Sequence, residues 1–398
     1  MSWEVADHRG LAGLEALERD WRDLYQAMPV KSRYHSYDAH LAFARNLCKA
    51  PDLSRYVTLS EGGKVRAICP LMGGQDTSLG IKINAWTLPV HPHWPIGDVV
   101  CADDDARQAL LPAILKLLRE RPEGRPLLML GPLPERSTLW GPLAELKSAD
   151  FHTHDAAASR VFDCTVSYEE LMSRLTKHFR RNVRAHRKKL DSLEEVRFST
   201  ESGEQLWSGP FDAFLAVEAS GWKGSGGTES AIRLHEHLTA YYRQLATSMT
   251  GPEDRCEINS LHADGRCIAA QFCLKTGAEY TIMKIGFEEA YAWLGPGQLL
   301  LDNTLRKCCE DEGIARLDLV SDSSWIRDWQ AEPVPMKQAH MAVSTFVARP
   351  LMPLLDFRYG PARGALNRFR EATGHRYGRT VRAKRRRAEA ARTPHGSS

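Results

Sequence analysis

Gly295-Pro296-Gly297-Gln298-Leu299 opens a helical run just after a strand-like stretch ending at Phe287. The unbonded N–H groups at a helix start, together with the helix dipole, attract anions. Two glycines there would let a pyrophosphate approach the backbone, and Pro296 would pre-set the chain for helix entry. The spacing fits neither the G-x-G-x-x-G nor the G-x-x-x-x-G-K-[ST] pattern, and a plain turn before a helix is the other reading.

Other residues could supply reaction chemistry. Acyl transfer from a thioester to an amine needs a base, a polarised carbonyl and a proton for the leaving thiolate. Glu218, Asp318 and Asp322 are candidate bases. Asp318 lies in an apolar strand, a setting that can tune a carboxylate for proton transfer, or one where it simply pairs with an arginine. Asp322 could equally cap the short helix beginning near Ser323. Trp222 and Lys223 end a helix before the glycine-rich GSGGT and could line an acceptor cleft, Trp222 by stacking. Gln271, Lys284 and Trp325 complete the candidate substrate-binding set.

The nine cysteines are scattered, with no Cys-x-x-Cys pair, and read as reduced core thiols. Neither a metal site nor a thiol nucleophile is expected from them. No Gly-x-Ser-x-Gly elbow occurs.

The elements that must position these residues follow from periodicity. Residues 11–27 and 37–48 read as helices, and 56–74 as a hairpin turning at Glu61-Gly62-Gly63. A strand at 81–89, a helix at 106–119, a buried strand at 126–133 and a helix at 139–149 follow. After about residue 195 the order returns: helices 211–220 and 231–249, a hairpin around Asp264-Gly265, a strand 278–287, a helix 299–312 and a strand 315–322. The segment 323–330 and a last strand near 337–347 close it. The two hairpin turns lie about 200 residues apart, which points to an internal repeat of one α/β unit. Between the repeats Leu171, Leu175, Phe179, Val183 and Leu190 form an apolar stripe on a helix otherwise rich in Arg and Lys.

With 398 residues, 43% hydrophobic and 26% charged, the chain can bury two cores. Its net charge of +3 is unevenly spread, with basic clusters at 174–189 and 358–392. The second of these could lie against anionic lipid, and residues from 383 onward have little to bury. The N-terminus lacks a signal-peptide core and no apolar run reaches membrane-spanning length, so a cytoplasmic protein is expected, with the tail able to hold it at the inner face of the membrane.

The element order resembles the GNAT acyltransferase fold. More narrowly, Glu218 with Ser220–Lys223, Asp264–Phe272, Gly295–Leu301 and Leu317–Trp329 resemble the CelD-like acyltransferases associated with bacterial polysaccharide biosynthesis. The resemblance runs over most of residues 1–350 and is specific mainly in 211–330; the N-terminal half matches only in pattern, through WRDLY and a hairpin ending in CPLMGG. It implies an α/β (α+β) fold of tandem GNAT-like domains, each a mixed, mainly antiparallel sheet flanked by helices. The division would be a degenerate copy at 1–165, a basic linker helix at 166–195, a catalytic domain at 196–350 and a basic tail at 351–398.

The same resemblance implies an acyl-CoA cosubstrate, acetyl-CoA in the first instance, seated by its pyrophosphate at Gly295, Pro296, Gly297, Gln298 and Leu299, with no metal. The acceptor would be an amine of a small molecule, sugar or cell-envelope precursor. Ser324-Trp325-Ile326-Arg327 stands where many relatives carry a Tyr-Lys pair, so the acceptor pocket would be altered. A Fem-like transferase taking an aminoacyl group from charged tRNA, or a non-catalytic scaffold, are the alternatives. Nucleic acid enters as a partner only under the first of them.

Overall fold

Two turns set the pattern of the sheet. Gly62 and Gly63 take φ of 57° and 76°, and Asp264 and Gly265 take 51° and 70°. Consecutive left-handed residues make the two-residue hairpin connection whose twist suits antiparallel strands. Each turn closes a hairpin, with Glu61 facing Lys64 in one and Ala263 facing Arg266 in the other.

The computed structural model describes residues 3–101, 103–134, 137, 139–145, 150–221 and 223–359. The tail expectations for 360 onward, and Trp222, lie outside the described residues. Among the described residues no helix is long and apolar enough to cross a membrane.

The strands are β1 (Glu4–Arg9), β2 (Arg55–Glu61), β3 (Lys64–Asp76), β4 (Ile83–Thr87), β5 (Val100–Cys101), β6 (Leu127–Pro134) and β7 (Phe151–Asp163) in the first half. The second half holds β8 (Arg197–Ser202), β9 (Asp254–Ala263), β10 (Arg266–Thr276), β11 (Glu279–Phe287), β12 (Arg316–Asp318) and β13 (Glu332–Ala342). They form one sheet in the order β1-β2-β3-β4-β6-β13-β7-β12-β11-β10-β9-β8, with β5 paired to β3. The pairs are antiparallel except β4 with β6 and β11 with β12, which are parallel. Helices flank this mixed, mostly antiparallel sheet.

The order is symmetric about its centre. Each half runs edge strand, hairpin, strand, long helix, parallel strand, final strand. The final strands are exchanged: β13 lies against β6 and β7 against β12, and the two pair with each other. The halves therefore share a continuous sheet instead of closing separately.

The structure departs from the sequence reading at several places. β1, β7 and β8 were not expected, and β13 begins at Glu332, five residues before the expected start. β7 reads FHTHDAAASRVFD, whose small and polar residues carry no hydrophobic alternation; its ladders come from β12 and β13. The expected single basic helix is two, Tyr168–Arg174 and Lys177–Leu190. Thr176 breaks it by taking an extended conformation and accepting the Phe179 N–H at 3.1 Å, a cap that competes with helix continuation. The helix expected at 139–149 is observed over Trp140–Ala144, residues 146–149 lying outside those described.

Several histidines are buried in neutral form. His40, packed tilted on Trp21 and edge-on to Trp94, is held down to about 3 by burial, and His340, beside Asp76, to about 4. An unfolded chain protonates both near pH 6.5, which the folded chain resists, so the unfolded state binds more protons as pH drops below 6.5. Stability should therefore fall between pH 6.5 and about 4, by up to about 1.4 kcal/mol per pH unit for each such histidine. Urea midpoints at pH 7 and pH 5 check this; equal midpoints would contradict it.

Candidate functional site

β11 and β12 run parallel but stay together only for Glu279–Thr281 against Arg316–Asp318. Beyond that they part. Val320 sits at φ 62°, strained for a β-branched residue, and the Ser321 N–H closes back on the Leu319 carbonyl at 2.7 Å. On the other side β11 carries a bulge: Phe272 faces Lys284 and Cys273 faces Ile282, leaving Met283 without a partner on β10. The opening is a cavity of about 790 Å³, walled by Ile282–Ile285 on one side and Leu319–Ser321 on the other.

The start of the Pro296–Glu310 helix stands at this cavity, which Gly295, Pro296, Gly297 and Gln298 line. No side chain caps this helix. Gly295 is left-handed at φ 62°, and a Cβ there would come within 2.5 Å of His186 Nδ1. Gly297 is different: its Cβ would meet only Phe287 and Ile285 at 3.6 and 3.7 Å, both cavity-lining. Gln298 and Leu299 both donate their N–H to the Gly295 carbonyl, at 3.0 and 3.1 Å. Pro296 has no N–H, and the Gly297 N–H has no backbone acceptor outside its own helix among the described residues.

Two sequence expectations at this loop need correcting. Leu299 is fully buried in the core and its N–H is engaged, so it does not face the cavity. Gln298 contributes its side chain, near His186, and not its backbone N–H.

The equivalent helix of the first half, Asp104–Glu120, begins quite differently. Asp103 accepts the Ala106 N–H at 2.8 Å, and Asp104 and Asp105 follow in the first turn. Three carboxylates and a filled cap disfavour any phosphate there. The preceding loop instead crosses to the other half, where Pro92, His93 and Pro95 line the cavity.

None of the three carboxylates expected to act as a base lines the cavity, and each is committed elsewhere. Glu218, 3% exposed, binds Lys223 Nζ at 3.0 Å through one oxygen and the Ile232 N–H at 2.9 Å through the other. Asp318, also 3% exposed, accepts from Ser159 Oγ at 2.6 Å and from the Val320 N–H at 2.7 Å, so it pins the turn by which the chain leaves β12. Asp322 is held below the usual carboxylate range by Arg327 first and Arg160 next. The residue preceding the short Ser324–Arg327 helix as its cap is Ser323, not Asp322.

Lys223, Gln271, Lys284 and Trp325 all line the cavity. Lys223 also donates to the Ile285 carbonyl at 3.2 Å, tying the loop to β11. Burial, then the neighbouring Lys223, lowers the Lys284 ammonium to about 8. Gln271 is fully buried; its Oε1 accepts from Asn259 and Thr304, while its Nε2 has no partner among the described residues.

Sequence reasoning missed the residues that reach in from elsewhere: Arg33, Pro92, His93, Pro95 and His186. His93 Nδ1 meets Tyr242 Oη at 2.8 Å and burial keeps its ring neutral. The Pro92-His93-Trp94-Pro95 run was the available signal in the sequence, two prolines fixing a histidine in a loop. Arg33 offered none.

A basic groove of about 1280 Å³ lies on the outer side of the same helix, between it and Lys177–Leu190. Lys177, Arg180, Arg181, Arg184, Arg187 and Arg306 line it, with Arg187 paired to Asp302 at 2.9 Å.

The family model described as acetyltransferase (GNAT) domain matches residues 177–328. No curated protein shows a significant sequence match. A conserved protein of unknown function from Bacteroides thetaiotaomicron superposes with a TM-score of 0.52 at 10% identity, over 81% of this chain and 97% of that one. The structure of L-PGS from Bacillus licheniformis gives 0.50 at 11% identity, over 86% and 96%. A tandem GNAT protein from the clavulanic acid biosynthesis pathway gives 0.44 at 13% identity, over 86% and 99%. At such identities the first two likenesses speak to fold alone. Residues 177–328 thus match the model of a GNAT acetyltransferase domain, set in a mixed α/β fold.

Proposed function

We propose that the chain transfers an acyl group, acetyl in the first instance, from acyl-CoA to an amine of a sugar or cell-envelope precursor, in the manner of the CelD-like acyltransferases. The observation that carries this reading is the cavity opened between β11 and β12 with an uncapped helix start at its edge. Backbone groups on the parted strands lack sheet partners and can pair with an extended amide-bearing arm such as pantetheine. The Gly297 N–H and the helix dipole suit a pyrophosphate. The first half then acts as a degenerate copy, its own helix start closed by Asp103, that shapes the acceptor side.

The reaction needs no covalent enzyme intermediate. The amine nitrogen attacks the thioester carbonyl carbon, the C–S bond breaks, and one proton passes from the amine to the departing thiolate. Lys284 replaces the three carboxylates as the proposed base. Near pH 8 much of it is neutral, and its proton affinity matches that of a thiol at about 8.5, so it can take the proton and return it. The backbone of Met283, the bulge residue with no register partner on β10, is the proposed partner for the carbonyl oxygen.

A second reading has its own observation. The basic groove beside the helix, lined by five arginines and Lys177, suits a nucleic acid backbone, as an aminoacyl-tRNA donor would require. The donor assay separates the two, since that reading calls for charged tRNA and gives no CoA release.

Calorimetric titration with acetyl-CoA should show stoichiometric binding, weakened about tenfold or more in Gly297→Asp, whose carboxylate would enter the phosphate site beside Phe287 and Ile285. Gly297→Ala should fold normally, whereas Gly295→Ala should lose about 1 kcal/mol or more from its left-handed backbone and the approach to His186. Unchanged CoA affinity in Gly297→Asp would remove the loop assignment. For Lys284, kcat/KM should rise with pH and level off above about 8, and Lys284→Arg should lower it about 100-fold while sparing CoA binding. A pH profile unaltered by that change would exclude Lys284 as the base.

A further inference from the structure

The cavity wall contains one charge that the acyl-CoA reading leaves unused. Arg33 is 1% exposed and lines the cavity, yet its Nε and Nη1 have no hydrogen-bond partner among the described residues. Its guanidinium stacks over the Tyr34 ring at 4.5 Å and donates through Nη2 to the Tyr34 hydroxyl. It makes no ion pair among the described residues; Asp318 acts on it only as a charge at a distance, less strongly than Tyr34 or Tyr241, and Asp318 Oδ1 already accepts from Ser159 and Val320. A buried guanidinium with unanswered donors costs several kcal/mol unless something pairs with it.

Gln271, on β10, lines the same cavity and likewise has a buried donor without a partner among the described residues. Its oxygen is satisfied twice, which fixes the amide so that the unpartnered Nε2 is the group left over. Two buried donor groups with no acceptor therefore line one cavity, one from each half of the chain. Lys223 adds no net charge, being neutralised by Glu218 at 3.0 Å.

We infer that Arg33 and Gln271 form a subsite for a carboxylate carried by the acceptor. This rests on the acyl-transfer reading for the word acceptor, though not for the anion. The donor side of the cavity, from Met283 to Gln298, belongs wholly to the second half, whereas Arg33 comes from the first. The balance of charge favours a monoanion: one guanidinium and one neutral amide answer a carboxylate, while a phosphate dianion would ask for a second fixed cation. The acceptor class is then an amine that also bears a carboxylate, either an amino acid or an acidic amino sugar.

The test is titration of the CoA-saturated full chain, which cannot turn over, with matched amines: glycine against glycinamide, muramic acid against glucosamine, and O-phosphoethanolamine against ethanolamine. The carboxylate member of at least one of the first two pairs should bind at least about tenfold tighter than its neutral partner, the advantage expected of a charge-assisted hydrogen bond. Which pair responds separates the amino acid from the sugar acid. Arg33→Met should abolish that advantage and leave CoA affinity unchanged. Because it removes an unanswered buried charge, Arg33→Met should also melt at or above the wild-type temperature without ligand.

Equal binding within both carboxylate pairs overturns the inference, as does a preference confined to O-phosphoethanolamine. An Arg33→Met chain that melts well below wild type would make Arg33 a core support for Tyr34; Gln271→Leu then decides, since an unaltered carboxylate preference in it also overturns the subsite. Failure of CoA itself to bind would count against the acyl-CoA reading alone, and the same pairs titrated without CoA would still report on Arg33.

Discussion

The cavity of this chain depends on two parallel strands being allowed to separate. A β-ladder gives every backbone N–H and C=O a partner, and burying those groups without one is costly. β11 and β12 abandon their ladder after Thr281 and Asp318. Several devices hold them apart. Asp318 grips the Val320 N–H and so keeps a strained left-handed residue where β12 ends, and Arg160 takes the Leu319 N–H through its carbonyl. On β11, the bulge at Met283 re-aims the strand, and Lys223 holds the Ile285 carbonyl. The carboxylate that sequence reasoning cast as a base is thus a structural clamp on the cavity that a reaction would use.

The exchange of β7 and β13 explains why the site draws on both halves. With each final strand embedded beside the other half's parallel pair, the halves cannot separate without breaking central ladders. Loops of the first half are thereby fixed against the second half's cavity, which lets Arg33 and His93 act as parts of its wall. The repeat has also diverged where it matters chemically. One helix start carries Asp103, Asp104 and Asp105 with its cap filled; the other carries Gly295, Pro296 and Gly297 with no cap. The same topological position is electrostatically closed to an anion in one copy and open in the other.

What the sequence disclosed, and what it withheld, divides along the range of the interactions. The hairpins at Gly62-Gly63 and Asp264-Gly265 were legible because turn geometry is local, and so was the glycine pair at the helix start. The recurrence of element order revealed the repeat. β7 was not legible, since Ala156, Ala157 and Ala158 in its middle give no alternation and its register is imposed by β13. Lys223, Gln271, Lys284 and Trp325 do lie on the cavity, but Glu218, Asp318 and Asp322 do not. Residue type marks a carboxylate as available for chemistry; only the fold reveals that Lys223, Ser159 or Arg160 has already engaged it.

That engagement has a consequence for the electrostatics of the site. With Glu218, Asp318 and Asp322 spent on clamps and ion pairs, the cavity wall retains donors without acceptors among the described residues. Lys284 responds by losing affinity for its proton, as burial and the adjacent Lys223 both disfavour its charge. Arg33 cannot respond that way, because a guanidinium stays protonated throughout the accessible range. Two cations in one enclosure therefore meet different fates: the lysine gives up its proton near pH 8, and the arginine remains a fixed charge with no ion-pair partner among the described residues.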